Sequence, residues 1–137
     1  MKILITGGAG FLGLHLTKFF SKKNFQIHLI DIATYEKKEY PKNCNFIRCD
    51  VRDDKLVNKI FQKIKPDYVI HAAAALPLWK STDIFTTNVE GTNNIIKASI
   101  INKVKRTIYI SSTAVYGVPK KHPIYEDDQR IGVGAYG

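Results

Sequence analysis

The chain holds no uninterrupted apolar run approaching the ~20 residues that a membrane-spanning helix needs, so no membrane partner is expected. Cysteine is scarce. Cys44 and Cys49 are the only two, and their spacing suits neither a disulfide framework nor a metal site; both read as structural thiols and no metal is expected. There is no internal repeat and no low-complexity segment. Acidic residues are in deficit, 12 against 21 lysines and arginines, for a net charge of +9. Such a surplus is a footprint of nucleic-acid binders. Here the lysines lie in scattered pairs (22–23, 37–38 and 120–121) at expected element ends and loops, and no basic stretch is interleaved with aromatic residues. Nucleic acid is therefore not expected as a partner. The first residues run from one lysine through a short apolar stretch into glycines, which is not the pattern of a secretory leader, and the expected location is the cytoplasm.

What is present is enough hydrophobic sequence, 45% of 137 residues, to bury one core, with the charged content of a folded domain. Short β-rich runs alternate with stretches of helical period. Residues 2–6 (KILIT) form a nearly all-apolar run of the kind buried on both faces of a sheet. Leu12, Leu16, Phe19 and Phe20 then recur at helical spacing, with Lys18, Lys22 and Lys23 opposite. Residues 27–30 read as a second strand ending at Asp31, 32–44 as a loop, and 46–49 as a third strand followed by Asp50 and Val51.

Asp53 is placed to cap a helix carrying Leu56, Val57, Ile60, Phe61 and Ile64, stopped near Pro66. Residues 68–71 form a fourth strand that runs into Ala72, Ala73, Ala74 and Ala75. The longest helical stretch is 81–102, with Ile84, Phe85, Val89, Ile95, Ile96 and Ile100 along one side; 107–110 is a fifth strand, and from Gly117 onward the chain reads as loop. Parallel strands need crossover connections, so this alternation predicts an α/β fold: a doubly wound parallel sheet of five strands with helices on both faces. In such sheets ligands bind off the carboxyl ends of the strands, and the chemically interesting residues all fall there.

The segment TGGAGFLG at 6–13 places four of the chain's nine glycines within seven positions. Both the Gly8-x-Gly10-x-x-Gly13 spacing and the Gly7-x-x-Gly10-x-x-Gly13 spacing fit a dinucleotide fingerprint, and the context of a buried strand before and an amphipathic helix after supports it. Glycine lets the backbone turn and approach a diphosphate closely, while the helix start offers unpaired N–H groups and the positive end of its dipole. Asp31, 18 residues beyond Gly13, can accept from the ribose diol of adenosine and would repel a 2′-phosphate, which favours NAD over NADP.

Taken together, these motifs resemble the extended short-chain dehydrogenase/reductase family, the NAD-dependent nucleotide-sugar epimerases and dehydratases, over essentially the whole chain. The resemblance implies a Rossmann-type domain over 1–137 and oxidoreductase-type chemistry. It assigns the loop residues Gly7, Gly10, Phe11, Leu12 and Gly13 to the cofactor, along with Asp31. Asp50 and Val51 resemble the adenine-contacting pair. HAAA at 71–74 resembles the segment where Ala72, Ala73 and Ala74 let the cofactor lie across the fourth strand, with His71 a packed residue rather than a base. TNVEGTNN at 87–94 resembles the helix bearing a cofactor-proximal asparagine, Asn88. YISSTAVYG at 109–117 resembles the fifth strand with its catalytic hydroxyl at Ser112, Thr113 being an adjacent substitute; Tyr116 reads as core. His122 and the acidic run 126–128 are given no chemistry.

The family's catalytic pair is Tyr-x-x-x-Lys. Tyr136 fits the tyrosine, and its lysine would fall beyond Gly137. A phenol with an ordinary pKa of about 10 is a poor base at neutral pH. The family's lysine favours the phenolate, and losing acid–base catalysis costs roughly 10²–10⁴-fold. The expectation is therefore an N-terminal NAD-binding part, with little turnover of its own, of an enzyme acting on a nucleotide-sugar. The family's C-terminal region is absent, and a homodimer through the 81–102 helix is possible. Two other readings stay open: a module that senses NAD without catalysis, and an extended reductase acting on a non-sugar alcohol, where NADP would be preferred.

Overall fold

A computed structural model describes residues 1–137. Five parallel strands form one sheet in the order β3-β2-β1-β4-β5: β1 (Lys2–Thr6), β2 (Gln26–Asp31), β3 (Cys44–Arg48), β4 (Tyr68–His71) and β5 (Arg106–Tyr109). The first three run outward from the centre; the chain then returns to place β4 on the other side of β1. That reversal is the switch point, and it opens a crevice at the carboxyl end of β1.

The all-apolar character of β1 follows from its central position. Leu4 belongs to the core on one face, with Ile30, Val57, Phe61, Val69 and Ile95, while Ile3 and Ile5 belong to the core on the other face, with Ile27, Leu29 and Ile70. The period-two alternation of strand side chains sends each set to its own layer of helices. The first layer comprises α2 (Asp54–Ile64) and the helical stretch after β4. The second is α1 (Phe11–Ser21), which contributes Leu14, Leu16 and Phe20. Asp53 caps α2 as expected, its carboxylate accepting from Leu56 N at 3.0 Å. The helix ends at Lys65, whose left-handed φ of 51° breaks the ladder one residue before Pro66.

Several expectations are corrected. Phe19 and Leu12 are exposed: the face of α1 that packs on the sheet is centred on Gly13 and Thr17, both buried, because the glycine loop pulls the helix start close to β1. The stretch expected as one helix over 81–102 is α3 (Ser81–Phe85), a π-helical segment (Thr86–Gly91) and α4 (Thr92–Ile101). Its apolar residues also divide between two faces. Ile84, Ile95 and Ala98 are buried, whereas Phe85, Val89, Ile96 and Ile100 face outward. Cys44 already belongs to β3, and a short 3₁₀ turn (Lys37–Glu39) interrupts the preceding loop. Tyr116 is half-buried in a 3₁₀ turn (Thr113–Tyr116) rather than in the core. Both thiols are free, and burial pushes that of Cys49 up to about 11.

Candidate functional site

The site begins where β1 ends. Gly7 adopts a φ of +68° and presses on the exit of β4, where a Cβ would come within 2.8 Å of the Ala72 carbonyl carbon. Gly13 lies beneath the loop, and a methyl group there would collide with the Gly7 carbonyl oxygen. Only glycine permits both approaches. Gly10 differs, because the only neighbour a Cβ would meet is the Gly7 carbonyl at 3.3 Å; its face opens into a cavity. Gly10 is also the N-cap of α1 and offers no capping side chain. The first bond of the helix runs from Leu14 N to Gly10 O at 2.9 Å, so the N–H groups of Phe11, Leu12 and Gly13 precede the ladder and are available to an anion.

The loop is fastened by residues from β2 and beyond. Asp31 accepts from Ala9 N through Oδ2 and from Ala33 N through Oδ1, both at 2.9 Å. Each carboxylate oxygen has a further acceptor direction, so these bonds leave capacity for a diol. Tyr40, buried to 8% exposure, donates its hydroxyl proton to Gly8 O at 2.8 Å and ties the loop from below. Burial, reinforced by the nearby Asp31 charge, raises its phenol pKa. Sequence reasoning missed Tyr40, which lay in an unpatterned loop with nothing local to mark a long-range bond.

On the other side, Thr6 organises the exit of β4. Its hydroxyl oxygen accepts from Ala72 N at 3.1 Å and Ala73 N at 3.0 Å, and lies 2.6 Å from His71 Nδ1. With both oxygen lone pairs used, the hydroxyl proton must go to Nδ1. His71 is then neutral with its proton on Nε2, which donates to Thr92 Oγ1 at 2.9 Å. Burial lowers its pKa to about 4. His71 is thus a locked structural residue that keeps the alanine segment in place.

A cavity of about 330 Å³ occupies the crevice. Of the residues singled out from sequence, it is lined by Gly7, Gly10, Asp31, Asp50, Val51, Ala72, Ala73 and Ala74. Phe11, Leu12 and Gly13 are not in its wall; they follow Gly10 in the first turn of α1, where Phe11 is exposed beside the His15 ring. Asn88 is not in the wall. Its amide accepts from Ala75 N at 2.7 Å and donates to Ala75 O at 3.1 Å, so it holds the wall in position from the π-helical segment.

Asp50 is more heavily engaged than its sequence suggests. Arg52 donates to it from Nε and Nη2, the latter at 2.7 Å, and from its own backbone N–H. The Arg52 hydrogen bonds hold the Asp50 carboxyl below the usual range. The same guanidinium reaches Asp83 and Thr86 on the helical stretch, each at 3.4 Å. Arg52 was another omission: an arginine two residues after an aspartate carries no signal until the fold brings Asp83 across.

Ser112 and Tyr136 lie outside the cavity. Ser112 stands beyond β5, half-buried, its hydroxyl accepting from Ala114 N at 3.2 Å. Tyr136 is half-buried, and its neighbour Gly137 packs so closely on the Ser112 turn that a Cβ would lie 2.7 Å from Ala114 O. The chain end therefore returns to the turn that carries Ser112.

A parallel sheet with a glycine-lined helix start, a carboxylate at the end of β2 and a cavity at the switch point defines a dinucleotide-binding α/β protein. Residues 3–134 match the model of the NAD dependent epimerase/dehydratase family, and the chain belongs to that family. It is 33% identical to a UDP-glucose 4-epimerase of Halalkalibacterium halodurans, aligned over 100% of this chain and 42% of that protein. A dTDP-D-glucose 4,6-dehydratase of Dictyostelium discoideum is 37% identical over 85% of this chain and 30% of its own length. Among solved structures, the Bordetella bronchiseptica enzyme WbmG in complex with NAD superposes with a TM-score of 0.92 at 34% identity, over all of this chain and 46% of that one. The chain spans less than half the length of these relatives. No helix is long and apolar enough to cross a membrane.

Proposed function

We propose that this chain is the NAD-binding part of a nucleotide-sugar epimerase or dehydratase. One observation carries the reading: the residues suited to a diphosphate, a ribose diol and a flat ring system, drawn from four separate strand exits, line a single cavity. The free N–H groups at the start of α1 and the bare face of Gly10 fit a diphosphate, and the remaining acceptor capacity of Asp31 fits the adenosine ribose. NAD supplies a reversible hydride acceptor when bound.

This chain would contribute two groups to the proton transfer, while the lysine of the family's Tyr-x-x-x-Lys pair is not among its residues. Tyr136, whose neighbour Gly137 packs on the Ser112 turn, would take the proton of a sugar hydroxyl, and the Ser112 hydroxyl would hydrogen-bond the reacting oxygen. His71 takes no part, since both ring nitrogens are committed. The outward row of Phe85, Val89, Ile96 and Ile100 supports pairing with a second copy through the 81–101 stretch. The two free thiols fit a reducing cytoplasm.

Isothermal calorimetry tests the reading. The wild-type chain is expected to bind NAD and to bind NADP much more weakly, with Asp31→Ala losing about tenfold or more in NAD affinity, equivalent to ~1.4 kcal/mol. An unchanged affinity in Asp31→Ala refutes the ribose role, and a preference for NADP favours a reductase of non-sugar alcohols.

A further inference from the structure

We propose that Trp79, the chain's only tryptophan, is a base-contact residue whose indole forms the outer wall of the adenosine end of the cavity and stacks on adenine. The inference rests on the NAD-binding reading. Its first support is the composition of the cavity wall. The wall draws on the exits of β1, β2, β3 and β4, and nothing from β5 or beyond contributes. Ser112 and Tyr136 both lie beyond β5. With the diphosphate at the start of α1, the lined cavity is therefore the half of the crevice remote from the reacting groups, and that half must take the adenosine. Its volume of about 330 Å³ sits at the lower end of the ~300–1,000 Å³ typical of ligand pockets, as suits one half of a dinucleotide.

The second support is the state of the indole. Trp79 lines this cavity yet remains 48% exposed, and it packs on no other aromatic ring of the chain. A flat apolar ring held half in water at a cavity rim has one open face for a second flat ring.

The third support is that the segment bearing it is clamped at both ends. Before it, Ala75 is gripped on both its N–H and its C=O by the Asn88 amide. After it, Asp83 in α3 is bridged by Arg52 to Asp50 at the exit of β3. Between these anchors the chain makes a tight turn, with Trp79 N donating to Leu76 O at 3.0 Å. The backbone that carries the ring is thus held at the cavity rim before any ligand arrives, which reduces the ordering cost of stacking.

Fluorescence provides the test, because a lone tryptophan reports on itself. Emission from the wild-type chain, excited at the red edge of the indole band, is followed while ADP, NAD or nicotinamide mononucleotide is added, with calorimetry run in parallel. ADP and NAD are expected to change the emission at concentrations matching their calorimetric affinities, and the mononucleotide to leave it unchanged. Trp79→Ala is expected to weaken ADP binding about tenfold, within the ~1–3 kcal/mol of a base–aromatic stack, while Trp79→Phe retains most of the affinity. ADP binding with no emission change, a response to the mononucleotide alone, or full ADP affinity in Trp79→Ala overturns the role of Trp79 and leaves NAD binding standing. Absence of calorimetric binding by the wild type overturns both.

Discussion

The Thr6–His71–Thr92 chain makes stability depend on pH in a way that can be worked out. An exposed imidazole in the unfolded chain titrates near 6.5, while in the fold burial lowers His71 to about 4. The unfolded state therefore binds a proton first as the pH falls. The stabilisation is complete above about pH 6.5, declines between there and about pH 4, and levels off below. The full difference is on the order of 3 kcal/mol, of which about 2 kcal/mol is lost by about pH 5. Against a typical net stability of roughly 5–15 kcal/mol, that is a readily measured fraction. His28 is also lowered, by burial and then by Lys2, and acts in the same direction as the pH falls below the ordinary imidazole value. The lowered carboxyl of Asp50 acts in a more acidic window, losing its contribution as the pH falls below the ordinary carboxylate value. Urea unfolding followed by circular dichroism, repeated at a series of pH values from about 7.5 to 5, measures the slope. His71→Leu lowers stability outright by leaving the Thr6 hydroxyl without its acceptor, but it also removes the largest titrating group, so its slope must be shallower. A flat wild-type profile, or an equal slope in His71→Leu, refutes both the neutral tautomer and the lock built on it.

Gly13→Ala should destabilise the chain by about 1–3 kcal/mol, seen as a lowered unfolding midpoint, because the added methyl strikes the Gly7 carbonyl within a tightly packed loop. Tyr40→Phe deletes one buried hydrogen bond to Gly8 O and should cost about 1–3 kcal/mol in urea unfolding, since that carbonyl is left in the interior. Asp53→Ala should cost about 1 kcal/mol by loss of the α2 cap, with calorimetric NAD affinity unchanged. Ser112→Ala should likewise leave NAD affinity unaltered, because the hydroxyl lies outside the cavity wall; a large loss would show that the serine holds the cofactor.

The five strands, α1 and α2 were legible in the residue pattern alone, whereas the division of 81–102 into three helical pieces was not. A strand buried on both faces must be almost wholly apolar, a helix against a sheet must repeat its apolar residues, and a glycine run between the two leaves few conformational alternatives. Those signals are local, and they suffice to place Gly10, Asp31, Asp50 and the alanine segment at strand exits. Only the tertiary structure decided which of these residues share one wall. Asn88 read as a cofactor neighbour and is a clamp on Ala75; Tyr40 carried no local mark and fastens the glycine loop; Arg52 acquires meaning only when Asp83, 31 residues away, arrives beside it. The physical reason is that periodicity and turn chemistry are written in neighbouring residues. The partner of a hydroxyl, an amide or a guanidinium is instead set by how the layers pack, and that depends on the whole chain at once.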